Sequence, residues 1–155
     1  MMNIEYLQDD LSDGAVVNLL QVHLLEMYNY SPKESIHAIN PQQFKDKSVT
    51  FWSARDNGKI AGCAGLKVLS ADVGELKSMK THKDYLRQGI GEALLTLIGQ
   101  RAKQLSLKKL YLETGSHQAF EPAIQLYKKH GFVECGPFAE YKLDSYSRFF
   151  VKNCG

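Results

Sequence analysis

The chain has 155 residues, of which 44% are hydrophobic and 23% are charged, and its formal net charge is +2. This length predicts a single domain over residues 1–155, and the apolar content excludes an intrinsically disordered chain. The small net charge argues against a dedicated nucleic-acid-binding protein, so no nucleic-acid partner is expected.

The charges are distributed unevenly along the chain. Residues 1–76 carry six basic and ten acidic side chains, a net of −4, whereas residues 77–155 carry thirteen basic and seven acidic ones, a net of +6. A basic C-terminal half suggests that an anionic ligand binds there. An excess of lysines on a solvent-exposed surface would give the same net charge without any ligand. The charge pattern leaves both interpretations open.

The three cysteines, Cys63, Cys135 and Cys154, are widely spaced and form no CxxC pair or Cys/His pair at metal-ligand spacing. No metal site is therefore expected. The N-terminus lacks the basic and apolar segments of a signal peptide, and no apolar run approaches about 18 residues. We expect a cytoplasmic protein with reduced thiols and no membrane partner.

The N-terminal part predicts one strand and two helices. Residues Ile4–Leu7 are predicted to form a short strand. Apolar residues at spacings of three and four then predict an amphipathic helix from Asp13, its cap, to Met27. The run Ser31-Pro32-Lys33-Glu34 has the pattern of a capping box and predicts a second, short helix through Ile36 and Ala38.

The rest of the chain predicts a β-rich region with two further helices. The turn Asp56-Asn57-Gly58 favours a hairpin, because Asn-Gly adopts the positive φ angles that a tight turn requires. Strict alternation over residues 74–81 predicts that Glu75, Lys77, Met79 and Thr81 share one face. The predicted strands are 49–54, 59–69, 74–81, 107–113, 133–135 and 148–152, and the predicted helices are 91–105 and 122–129.

This order predicts an α+β fold, a three-layer α/β/α sandwich around a mixed, mostly antiparallel sheet. The strand, crossover helix and strand between residues 74 and 113 imply a parallel pair with a right-handed crossover. The hairpin strands are expected to be antiparallel.

The segment Arg87-Gln88-Gly89-Ile90-Gly91-Glu92 connects a predicted strand to a predicted helix. Glycines at this position allow a ligand to approach the backbone closely, and the helix N-terminus presents unpaired N–H groups to an anion. The dinucleotide pattern GxGxxG fails because residue 94 is leucine, and the Walker A pattern is absent. The segment by itself is a weak indication of pyrophosphate binding.

Together with the run from Ala123 to Phe132, which reads A-x-x-L-Y-x-K-x-G-F, this segment resembles the GNAT N-acetyltransferase superfamily. The resemblance covers nearly the whole chain. Within the superfamily, the segments Ser31–Ala38 and Leu112–Ser116 resemble a bacterial group of small-molecule N-acetyltransferases.

The resemblance implies acetyl-CoA as a co-substrate, bound in a V-shaped opening between splayed parallel strands. Tyr127 would protonate the departing thiolate or donate a hydrogen bond to it. The residues that the resemblance implies for cofactor binding are Met79, Lys80, Thr81, Arg87, Gln88, Gly89, Ile90, Gly91, Glu92 and Tyr127.

The acceptor amine must lose a proton, and a carboxylate desolvated on a strand could accept it. Some members of the superfamily use the position of Glu75 for this purpose; the alternative is that Glu75 only pairs with Lys77. His37 and His117 are alternative bases or substrate contacts. Glu113 and Ser116 are candidates for the acceptor side.

We therefore expect transfer of an acetyl group to a primary amine of a small molecule by direct attack, without a cysteine intermediate. Two other functions stay open: acetylation of a protein lysine or N-terminus, and acyl-CoA sensing without turnover. Because members of the superfamily often dimerise, a homodimer is also an expectation.

Overall fold

The computed structural model describes residues 3–36 and 46–155. Within these residues the chain forms seven strands in one sheet and three α-helices. The strands are β1 (Ile4–Asp9), β2 (Val49–Asp56), β3 (Lys59–Val68), β4 (Val73–Thr81), β5 (Lys109–Gly115), β6 (Val133–Cys135) and β7 (Ser147–Asn153). The helices are α1 (Ala15–Met27), α2 (Ile90–Gln104) and α3 (Glu121–Lys129).

The sheet has the order β1-β2-β3-β4-β5-β7-β6, and its one parallel pair among the described strands is β4 with β5. Helix α1 packs Val16, Leu19 and Leu20 against Phe51 and Cys63 on one face. Helices α2 and α3 contribute to the larger core cluster, which also includes inward-facing residues of β2–β5 and β7. The α+β sandwich and the mixed sheet predicted from the sequence are confirmed.

Several local predictions are confirmed. Asn57 and Gly58 adopt φ angles of 49° and 88°, as the hairpin turn requires. The strand over Val133–Cys135 has its predicted bounds. The prediction that Asp13 caps α1 is wrong: Gly14 is the N-cap residue, and Asp13, one residue earlier, accepts a 3.0 Å hydrogen bond from the Ala15 amide.

The helix predicted from Ser31 to Ala38 is wrong over its described part. Residues Lys33–Ser35 form a single 3₁₀ turn, and Ile36 is already extended, with a φ of −95° and a ψ of 115°. A capping-box pattern supplies hydrogen-bond partners only for the first N–H groups of a helix. It cannot stabilise the following turns unless their side chains also pack against the rest of the protein.

The predicted alternation along β4 is also wrong, because the strand contains a bulge. Gly62 to Leu66 on β3 spans five residues, whereas their partners on β4, Leu76 to Thr81, span six. Ser78 has a φ of 55° at this extra position. The bulge therefore places Leu76 and Met79 against the same core cluster, while Glu75 and Lys77 face the other side.

Candidate functional site

A cleft opens where β4 and β5 separate. Their parallel ladder pairs residues 73–75 with residues 109–111 and ends at Glu75 and Tyr111. Beyond this point β4 continues to Thr81 and β5 to Gly115 as separate edges of a cavity of about 810 Å³. This volume lies within the range of about 300–1,000 Å³ that is typical of small-molecule sites.

The start of α2 forms one end of the cleft. Gly89 is the N-cap residue with a φ of 83°, and Arg87 also has a positive φ, 61°. The first amides of a helix have no partner within it, so the amides of Ile90, Gly91 and Glu92 are available to an anion. A Cβ atom on Gly91 would lie 3.3 Å from Leu126 Cδ2. Glycine therefore keeps the gap between α2 and α3 open, and this geometry suits a pyrophosphate group.

The structure brings nearly all the residues predicted for cofactor binding to this cleft. Gln88 is the exception, because it does not belong to the cleft lining. Two of these side chains have partners on neighbouring helices. Lys80 Nζ lies 3.3 Å from Glu26 Oε2 on α1, and Glu92 Oε1 lies 2.9 Å from Lys129 Nζ at the end of α3.

Tyr127 lies on α3, is only 7% exposed, and lines the cleft while its ring packs edge-on against Phe132. Burial, with a smaller effect from the charge of Glu113, raises the pKa of Tyr127 to about 12. The phenol therefore stays protonated at neutral pH and is available as a hydrogen-bond donor.

Glu75 lies on the cleft floor with a side chain that is 4% exposed. The Tyr141 hydroxyl donates a hydrogen bond of 2.5 Å to Glu75 Oε2, and Lys77 Nζ is 3.6 Å from the same oxygen. The pairing with Lys77 that the sequence offered as an alternative is thus present. Tyr141 is not among the site residues predicted from the sequence, because the 136–146 segment between β6 and β7 has no periodicity or motif.

Glu113 faces the same cleft from β5. Burial raises the pKa of this carboxyl to about 7, and the negative charges of Glu75 and Asp144 act in the same direction. The Ser147 hydroxyl and the Lys77 ammonium group act in the opposite direction. The pKa of Glu113 is therefore much closer to neutral pH than that of an ordinary glutamate.

Two segments meet beside the cleft. The Ser35 hydroxyl donates a 2.5 Å hydrogen bond to Asp144 Oδ2, which joins the segment after α1 to the 136–146 segment. The ring of Tyr30 packs against that of His117, with the centroids 4.7 Å apart, and edge-on against Phe120.

The remaining residues predicted for the acceptor side either do not line the cleft or lie outside the described residues. Ser116 and His117 lie outside the cleft lining. The Ser116 hydroxyl donates to the Ser145 carbonyl, and His117 Nδ1 accepts from the Ala119 amide. His37 lies outside the described residues.

His23 on α1 also lines the cleft. Its Nδ1 atom is buried and makes no hydrogen bond with the described residues. Burial, together with the charge of Lys80, lowers the pKa of His23 to about 4. The imidazole is therefore neutral at physiological pH.

In residues 3–36 and 46–155, no group of three or more metal-ligating side chains comes together. The three cysteines are unpaired thiols, and burial raises the pKa of Cys63 to about 12. No helix in the described ranges has both the length and the apolar content to cross a membrane.

A splayed parallel strand pair, with a glycine-bounded helix start at one end and two carboxylates on its floor, forms a cleft that suits a phosphate-bearing ligand. The Acetyltransferase (GNAT) family matches residues 16–132. The chain therefore belongs to the GNAT acetyltransferase family and is an acetyl-CoA-dependent acyltransferase.

Relatives support this assignment over most of the chain. The sequence is 45% identical to the uncharacterized N-acetyltransferase YedL of Escherichia coli, covering 91% of this chain and 89% of that protein. It is 43% identical to the uncharacterized N-acetyltransferase YsnE of Bacillus subtilis, covering 93% and 95%. An IAA acetyltransferase of Azospirillum brasilense is 32% identical, covering 98% and 99%.

The fold is also that of solved members of the family. A GNAT acetyltransferase from Elizabethkingia anophelis with acetyl-CoA bound superposes with a TM-score of 0.69. The two chains are 21% identical, and the match covers 97% of this chain and 98% of the other.

Proposed function

We propose that the protein transfers an acetyl group from acetyl-CoA to a primary amine of a small molecule by direct attack. The observation that carries this proposal is the separation of β4 from β5 beyond Glu75 and Tyr111. It places the helix start at Gly89 and the buried carboxylates on one continuous cleft. Donor and acceptor can therefore meet without an intermediate bound to the protein.

The residues present fit the donor. The amides of Ile90, Gly91 and Glu92 would hold the pyrophosphate, and the backbone of Met79 and Thr81 would bind the pantetheine arm along β4. When bound, acetyl-CoA supplies an activated thioester carbonyl.

Tyr127 is the proposed donor to the sulfur atom. A phenol with a pKa of about 12 holds its proton more tightly than a thiol, whose ordinary pKa is about 8.5. Tyr127 therefore stabilises the charge on the departing sulfur by a hydrogen bond, without net proton transfer. A carboxylate on the cleft floor would accept the proton of the amine, and Glu75 is the candidate that the sequence predicts for this role.

The contacts at the acceptor end support a small molecule as acceptor. The hydrogen bond between Ser35 and Asp144 joins the two segments that border this end, which disfavours an extended peptide. Two carboxylates nearby, Glu75 and Glu113, are suited to a positively charged amine. In this proposal the chain acts as one domain over residues 1–155 in the cytoplasm, without a metal, nucleic acid or membrane.

The test is a screen of thiol release from acetyl-CoA over amino acids, polyamines, aminoglycosides and arylamines. The panel also contains IAA, because the Azospirillum relative is named an IAA acetyltransferase. We expect saturable release of CoA with one of the free amines. Isothermal titration with acetyl-CoA supplies the control, because the absence of binding at millimolar concentration would disprove the donor assignment.

Two other outcomes would replace the proposal. Acetylation of a peptide library without acetylation of any free amine would indicate a protein acceptor. Binding of acetyl-CoA without turnover on either panel would indicate an acyl-CoA sensor.

A further inference from the structure

We propose that Glu113 is the group that accepts the proton of the attacking amine, and that Glu75 is a positioning residue whose fixed charge acts on Glu113. This inference rests on the proposed function and assigns its base to β5 instead of β4. Its grounds are the strand register, the partners of Glu75 and the surroundings of Glu113.

The register places the two carboxylates close to each other. Glu75 is opposite Tyr111 at the last rung of the parallel ladder. Glu113 is two residues further along β5, so its side chain is on the same sheet face as that of Tyr111. It therefore lies where the strands have begun to separate and where two substrates can enter.

The carboxylate of Glu75 already has partners within the protein. Its Oε2 atom accepts a hydrogen bond from the Tyr141 hydroxyl and is 3.6 Å from Lys77 Nζ. Lys77 Nζ in turn donates to the Tyr141 hydroxyl over 3.3 Å. Burial and the carboxylate of Glu75 raise the pKa of Tyr141, so the proton of this pair stays on the phenol. These contacts occupy the Oε2 atom of Glu75 and hold its side chain in place, which suits a positioning residue better than a proton acceptor.

The surroundings of Glu113, in contrast, favour a role as proton acceptor. Burial is the largest cause of its raised pKa, about 7, and this value matches the requirement that a general base titrate near the working pH. Charged and titratable groups face it from every neighbouring element. They are Glu75 and Lys77 on β4, Tyr127 on α3, and Tyr141 and Asp144 in the 136–146 segment. The Ser147 hydroxyl of β7 completes this set.

The charged amine first releases one proton to solvent, and the proton balance of the step is then complete for the neutral amine. The amine nitrogen forms a bond to the thioester carbonyl carbon, and the carbon–sulfur bond breaks with its electron pair on sulfur. The proton leaves the nitrogen for the carboxylate of Glu113, while the Tyr127 hydroxyl donates a hydrogen bond to the sulfur atom. No oxidant, reductant or metal is consumed.

The test compares the pH dependence of kcat/KM for the wild type, Glu113→Gln and Glu75→Gln with the amine found by the screen. We expect an acidic limb near pH 7 in the wild type. Glu113→Gln should remove this limb and lower kcat by about 10²–10³-fold. Glu75→Gln should lower activity but keep the limb and move it to lower pH, because a negative charge beside Glu113 is lost.

A limb that vanishes in Glu75→Gln and persists in Glu113→Gln would overturn the assignment. Glu113→Asp is the conservative variant, and because it keeps a carboxyl group its pH profile of kcat/KM should again show an acidic limb. Circular dichroism checks that this variant is folded. Retention of acetyl-CoA affinity in all three variants would show that the donor site is intact.

A second measurement does not depend on activity. Carbon-13 NMR of the glutamate carboxyl groups in the wild-type protein should show one resonance that titrates near pH 7 and is absent from Glu113→Gln. If no carboxyl titrates above pH 6, the inference fails even if an amine is acetylated. If this carboxyl titrates as expected but no amine is acetylated, the proposed function fails and the ionisation of Glu113 stands.

Discussion

The Tyr141 hydroxyl donates a 2.5 Å hydrogen bond to Glu75 Oε2, which ties the 136–146 segment to the floor of the cleft. Phe138 in the same segment stacks on Tyr111 with a centroid separation of 4.7 Å, on the last rung of the parallel ladder. The 136–146 segment therefore packs directly against the point at which β4 and β5 separate.

Tyr141→Phe should weaken the attachment of the 136–146 segment to Glu75. A hydrogen bond to a charged group contributes about 1.5–3 kcal/mol, so we expect the free energy of unfolding to fall by about this amount. We also expect KM for the amine to rise while the Kd for acetyl-CoA stays unchanged, because the helix start at Gly89 is untouched. Urea denaturation and steady-state kinetics measure the two effects.

The matched control is Tyr146→Phe in the same segment, because Tyr146 is 46% exposed. This variant should behave like the wild type in both measurements. Equal effects of the two substitutions would contradict a specific role for the bond between Tyr141 and Glu75.

Gly91→Glu should abolish binding of acetyl-CoA. The new side chain begins 3.3 Å from Leu126 Cδ2, and its charge would face the proposed pyrophosphate position. We expect the Kd from isothermal titration to rise by more than tenfold, which corresponds to about 1.4 kcal/mol. Gly99→Glu is the control on the same helix, since a Cβ there meets only Lys152 Nζ at 3.9 Å. Unchanged affinity in Gly91→Glu would refute the pyrophosphate position.

Tyr127→Phe should lower kcat by about 10²-fold, because one donor to developing charge is removed. The ring that packs against Phe132 is retained, so stability and acetyl-CoA affinity should change little. Single-turnover kinetics followed by thiol release would measure the effect on the chemical step. A wild-type rate in this variant would exclude Tyr127 as the donor to sulfur.

His23 should make the folded state sensitive to acid. Burial lowers the pKa of His23 from 6.5 to about 4, so the folded state binds fewer protons than the unfolded state between these values. Its contribution to stability is therefore complete above pH 6.5 and is lost as the pH falls toward 4.

Replacing the ring by His23→Leu should remove this dependence. The midpoint of the variant minus that of the wild type should therefore be larger at pH 5 than at pH 7.5. Glu113 contributes with the opposite sign, because its raised pKa stabilises the folded state as the pH falls from about 7 toward 4.5. The comparison of wild type with variant, not the wild-type profile alone, isolates His23.

The sequence by itself determined the elements whose signals are local. Asn57 and Gly58 determine the hairpin, because few other residues tolerate two successive positive φ angles. The glycines at 89 and 91 and the run from Ala123 to Phe132 determine the helix start and α3. The family resemblance rests on these two segments, and the family match confirms it.

Only the tertiary structure decided how the site is built around these elements. The extra residue at Ser78 is a property of the pairing with β3, and it alone turns Met79 toward the core and leaves Glu75 and Lys77 on the other face. Tyr141 reaches Glu75 across 66 residues of sequence. Ionisation of Glu113 depends on burial and on charges contributed by several distant segments. Local patterns specify backbone conformation, whereas desolvation and long-range contacts arise only when the chain is packed.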